Sequence, residues 1–152
     1  MYGGFGGGLD YGGLGFKLEF LPSKSIGLFA AAGYNFNKLG TNGGISWKAF
    51  ADKKTTPVIM AMYGYNAVIN VLAPVGTGTF SETYYGFSAG LGYEFIVGQN
   101  RNKISLAVIL PIRSSAFKNQ YNDFKEAGYT FDPDVLPVLV SIGFNIAGYG
   151  RQ

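Results

Sequence analysis

The stretch YYGFSAGLGYEF, residues 84–95, alternates bulky apolar side chains with glycine, serine and a single glutamate. A period of two is the mark of a β-strand, with successive side chains on opposite faces of the sheet. Tyr85, Phe87, Ala89, Leu91, Tyr93 and Phe95 share one face. Tyr84, Gly86, Ser88, Gly90, Gly92 and Glu94 share the other. Which face looks at the protein's own centre decides the fold.

The same division recurs along the chain. Leu14, Phe16, Leu18 and Phe20 oppose Gly13, Gly15, Lys17 and Glu19. Ile104, Leu106, Val108, Leu110 and Ile112 oppose Ser105, Ala107 and Arg113, and Leu136, Val138, Val140, Ile142, Phe144 and Ile146 oppose Ser141, Gly143 and Asn145. A water-facing strand surface ordinarily carries Thr, Lys and Glu, and glycine weakens it. A narrow interior gives the glycines a reason, because an eight-stranded barrel is just wide enough to be filled by its own side chains. The small face therefore points inward and the apolar face outward.

The pattern predicts strands at 2–8, 13–21, 26–36, 43–51, 57–72, 82–97, 103–113 and 135–147. Seven of these are read from the pattern, and the nearly all-glycine 2–8 is inferred as the strand that completes closure, which removes exposed edges. PSKS (22–25), DKKTT (52–56) and GQNRN (98–102) are short turns, expected at one end of a meander, with LDYGG a tight first loop. NKLGTN (37–42), APVGTGTFS (73–81) and the segment 114–134 lie at the other end. In the longest connection Ser114 or Ser115 offers a helix cap, Phe117, Tyr121 and Phe124 fall on one helical face, and Gly128 offers a stop. The expected fold is all-β: an eight-stranded antiparallel up-and-down transmembrane barrel over 1–152, with a short helix in the last long loop.

Composition agrees with this reading. Glycine numbers 24, aromatics reach 16% and charged residues only 14%, against about 25% in ordinary soluble domains. The 152 residues suit one domain. Residues 55–81 carry no charge, yet Pro57, Gly64, Asn66, Asn70 and Pro74 break the run below the ~20 apolar residues of a helical span. The spans of 9 residues and more match the length of a tilted strand crossing a bilayer. MYGGFGGG has neither a charged start nor an apolar core, so an outer-membrane destination implies a leader already removed.

Several functions are disfavoured. The chain has no cysteine and no histidine, which removes thiol nucleophiles, thiolate metal sites and imidazole acid–base chemistry. No GxSxG elbow or phosphate loop occurs, and GLGYEF (90–95) lacks the third glycine of a dinucleotide fingerprint. Asp123, Glu126, Asp132 and Asp134 lack calcium-loop spacing and read as solvated charges. The net charge of +3 is scattered, without the basic stripe of a nucleic-acid binder. No enzyme activity, cofactor or metal is expected.

Inward placement carries Lys17, Glu19, Lys48, Glu94 and Arg113 into the barrel, Arg113 near its mouth, joined by Asn66, Asn70, Ser88, Ser105, Ser141 and Asn145. Buried charges are costly unless paired, so an ion network that plugs the lumen is expected, and a narrow polar path for ions or protons is its functional rival. The aromatic triplet Phe117, Tyr121 and Phe124 reads either as a lid on the barrel rim or as a contact surface for a partner.

The small-in, apolar-out strands and eight-strand length resemble the small outer-membrane barrels of the OmpA transmembrane-domain and OmpX type. MYGYNAVINV (62–71), YYGFSAGLGYEF (84–95), LPIRSSAFKNQYNDFK (110–125) and LPVLVSIGFNI (136–146) resemble a family of small Bacteroidota envelope proteins with no assigned activity. These resemblances imply a location in a Gram-negative outer membrane, with the lipid bilayer and other outer-membrane proteins as partners. The rival class is a soluble lipocalin-like carrier, whose Phe, Leu and Val faces would line a cavity for an apolar ligand.

Overall fold

The computed structural model describes residues 1–35, 37–72, 79–113, 115–126 and 136–148, without the side chains of 69–72, 79–82, 116, 120 and 125. Eight strands close into one antiparallel barrel in chain order: β1 (Tyr2–Gly8), β2 (Gly13–Phe20), β3 (Ile26–Tyr34), β4 (Leu39–Lys48), β5 (Thr55–Leu72), β6 (Thr79–Val97), β7 (Asn102–Pro111) and β8 (Leu139–Ala147). A helix, α1 (Ser115–Glu126), lies between β7 and β8. The expected all-β barrel is the observed architecture.

Strand ends differ from the expected ones where turn residues enter the ladder. β4 starts at Leu39 rather than 43, because Leu39–Asn42 pair with Ala31–Tyr34. Thr55 and Thr56, expected in a turn, pair with Phe95 and Glu94. β8 starts at Leu139, four residues late, and β7 stops at Pro111. Ser114, Gly128, Asp132 and Asp134 lie outside the described residues, and so does the Asn70 side chain.

The faces fall as the alternation requires. Phe16 (72% exposed), Leu91 (63%) and Val140 (73%) look outward. Aromatic residues stand toward both ends of the belt, with Phe20, Trp47 and Tyr93 on the short-turn side and Tyr34, Tyr63 and Tyr85 on the other. Leu28, Ile45, Ile59, Leu106 and Ile142 are also exposed, Leu28, Ile59 and Leu106 directly opposite Phe20, Trp47 and Tyr93. At the closing seam Phe5 sits opposite both Phe16 and Phe144, its ring 6.1 Å from that of Phe144. Gly3 and Gly7 on the same face are flanked across the ladder by Leu18 and Leu14. Among the described residues no helix is long and apolar enough to cross a membrane.

The two ends are unlike. The near end carries the short turns, the start of β1 and the end of β8, where Gly148 N donates to the Met1 carbonyl. At the far end β5 and β6 outrun their neighbours: β4 pairs with β5 no further than Gly64, and β7 with β6 no further than Ser88. Beyond that point the two strands run on paired with each other, past a bulge between Tyr65 and Ala67. Helix α1 packs its aromatic face at the base of this arm.

Candidate functional site

The lumen is the candidate site, and it is built in two storeys. In the near storey Lys48 on β4 reaches Glu19 on β2 at 2.8 Å and Glu94 on β6 at 2.6 Å. Lys103 on β7 takes the other Glu94 oxygen at 2.8 Å, and Ser46 Oγ donates to Glu19 at 2.8 Å. The Lys103 ammonium also lies 3.9 Å from the centre of the Tyr2 ring, a cation–π contact at the near mouth.

In the far storey the chain itself enters the barrel. Leu9–Tyr11, expected as a tight loop, forms a turn of 3₁₀ helix folded inward, with all three residues essentially buried. Lys17 Nζ donates to Asp10 at 2.5 Å, Ser141 Oγ donates to the other Asp10 oxygen, and the Lys17 ammonium sits 4.1 Å from the centre of the Tyr11 ring. Tyr11 Oη is 3.0 Å from Ser105 Oγ and donates to Asn145 at 3.1 Å. Asn42 donates to the Leu9 carbonyl at 2.5 Å. The turn thus binds β2, β4, β7 and β8 at once.

Glycine makes room for this plug. A β-carbon on Gly143 would overlap the Tyr11 hydroxyl, and one on Gly6 would press on its ring. Gly15 and Gly33 lie against the Tyr11 carbonyl, where a β-carbon would also collide. Gly12, at φ 74°, turns the chain back into β2 in a conformation glycine adopts without steric cost. Beside the ion pairs Leu9 joins Phe29, Val58, Met60, Met62, Ala107 and Ile109 in an apolar interior cluster. Between the charged groups remains a cavity offering about 20 Å³ to the centres of water molecules. That suffices for one or two waters, since each needs ~10–15 Å³ by this measure.

Of the five charges expected in the network, four are there: Lys17, Glu19, Lys48 and Glu94. Arg113 is not. It has the inward parity, but the strand ends at Pro111, so the side chain lies at the far mouth. There it donates to the Leu136 carbonyl and stacks 5.4 Å from the centre of the Phe117 ring. Partial burial at this mouth lowers its pKa from the usual guanidinium value. Lys103 takes its place in the network and Asp10 adds a third acid, so three lysines and three acids cancel. Two signals pointed to them. Lys103 shares the parity of Ser105, and the expected set of two acids and three bases was one acid short of neutral.

Asn66, Ser88, Ser141 and Asn145 are buried inside, and Ser105 is half-buried. The aromatic triplet of α1 faces the barrel. Phe117 is 3% exposed and meets the Tyr84 ring edge-on at 5.2 Å, while Tyr121 and Phe124 pack half-buried beside it against Ala67 and Tyr84. Its geometry is that of a lid. Asp123 and Glu126 are exposed on the other side of the helix, and no metal-binding cluster occurs among the described residues.

Chemically the lumen is a set of mutually satisfied charges. Each carboxylate accepts from a lysine and two accept from serines as well, which is how buried charges are made tolerable. Comparison with family models, with curated proteins and with solved structures finds no match to this chain.

Proposed function

We propose that this protein is a non-enzymatic barrel of a bacterial outer membrane, serving as a structural or accessory component of the envelope. One observation carries the reading: the closed barrel presents a belt of large apolar side chains outward all round, and keeps six paired charges inside. Water penalises such a belt, whereas hydrocarbon accepts it and requires the closed backbone ladder that comes with it. The carrier reading needs those same Phe, Leu and Val faces around a cavity, and they face outward. A conducting lumen is disfavoured by the inserted turn and by the small cavity beneath it. The aromatic face of α1 is taken up by the barrel, so contacts with other envelope proteins would fall to its polar face, Lys118, Asn119, Asn122 and Asp123.

The test is electrophoretic mobility in SDS with and without boiling, on protein recovered from a membrane fraction or refolded in detergent. A faster unboiled band, obtained only when detergent or lipid is supplied, is the expected result. A monodisperse folded protein in plain buffer would refute the membrane reading. In planar bilayers the folded protein is expected to give no conductance steps, and reproducible ones would favour the pore.

A further inference from the structure

The lumen is electrically neutral, so the net charge of the chain is displayed outside it, and unevenly. The near turns hold Lys24, Lys53, Lys54 and Arg101 against one acid, Asp52, whereas the far connections mix four bases with four acids. Asp52 is taken by Lys24 at 2.9 Å. Lys53, Lys54 and Arg101 are exposed and form no ion pair among the described residues.

A second observation is independent of charge. Among the described residues the two non-glycine positions with left-handed backbone, Phe50 (φ 57°) and Arg101 (φ 56°), both stand in near turns. That conformation is uncommon for such side chains and points to a use for the side chain so placed. Phe50 is 65% exposed with the Lys53 ammonium 4.8 Å from its ring centre, and Trp47 stands outward three residues earlier. Aromatics and unpaired cations therefore share one rim.

We propose that this near rim is a docking surface for the anionic headgroups of phospholipids, with Lys53, Lys54 and Arg101 on the phosphates and Phe50 and Trp47 at the boundary with the acyl chains. The proposal rests on the membrane reading above. Phosphate oxygens suit a guanidinium and ammonium groups, and amphipathic aromatics settle at headgroup level. The far end, whose charges nearly cancel, lacks the attraction.

Trp47 is the chain's single tryptophan and stands at this rim, so it reports on its own lipids. Protein folded into phosphatidylcholine vesicles containing 30% phosphatidylglycerol (about 30%, a working composition chosen for the attraction of basic residues to anionic lipid) is compared with either lipid carrying brominated chains. Brominated phosphatidylglycerol is expected to be preferred at Trp47 by about fivefold at low salt, roughly the worth of one base at an anionic surface. The preference should vanish in K53Q/K54Q/R101Q and persist in the far-end variant K38Q/K118Q. Equal quenching by both lipids in the unmodified protein overturns the proposal, as does a preference that survives the triple substitution. Absence of quenching by either lipid, with no heat-shifted band, instead refutes the membrane reading itself.

Discussion

The two storeys of the lumen fill the same narrow space by opposite means. Near the short turns, long side chains from β2, β4, β6 and β7 reach across and meet as Glu19, Lys48, Glu94 and Lys103. Toward the far end the walls are stripped to glycine at 6, 15, 33 and 143, and a turn of the chain's own backbone occupies the room. One storey is held by charge, the other by fit. An eight-stranded barrel allows either solution, because its interior is about one side chain deep from each wall. What differs is the penalty for error: an unpaired charge keeps its full desolvation cost, whereas a misfit in the plug costs overlap and lost contacts.

The largest expected effect follows from the near storey. Glu94→Gln leaves Lys48 with Glu19 alone and strips Lys103 of its carboxylate partner, and breaking a buried ion pair costs about 3–5 kcal/mol. The urea midpoint of the unboiled, fast-running band in lipid should fall accordingly. Adding Lys103→Met should recover a large part of that loss, because it removes the stranded cation. If Glu94→Gln is neutral, the network does not hold the barrel.

Gly143→Ala probes the far storey. Its new methyl meets the Tyr11 hydroxyl, and overpacking of this kind costs about 1–3 kcal/mol. Partial expulsion of the 9–11 turn should show as faster proteolysis or hydrogen exchange there, with the near ion pairs intact. Coupled loss of both storeys at the same urea concentration would show that they are one cooperative unit.

Lys24→Gln calibrates the scale. Its pair with Asp52, at 2.9 Å, is nearly as close as the lumen pairs at 2.5–2.8 Å, but both side chains are 78% exposed. Exposed pairs contribute about 0–1 kcal/mol, so the midpoint should barely move. A shift as large as that of Glu94→Gln would mean that burial is not what gives the lumen its weight.

Helix α1 repeats the contrast in miniature. The spacing of Phe117, Tyr121 and Phe124 was legible as one helical face, but helical periodicity says only that a face is apolar. That it closes on Tyr84 and Ala67 depends on the β5–β6 arm rising beside it, which no local pattern announces.

The alternation of side chains determined by itself that this chain is made of strands, which residues share each face, and which face is inward. Period two is a local property, set by backbone geometry at every residue. It placed Lys17, Glu19, Lys48 and Glu94 inside, and it assigned Arg113 the right parity. Only the tertiary structure decided that Lys103 joins the network, and that Arg113, expected near the mouth, turns there to Leu136 and Phe117 instead of to the lumen acids. Only the closed barrel brought Lys48 to Glu94, 46 positions away, since pairing across a lumen depends on the register of every strand between. The inward fold of Leu9–Tyr11 was likewise undecided until glycines from β1, β2, β3 and β8 stood around one space, for an empty cradle is a property of walls brought together, never of one segment.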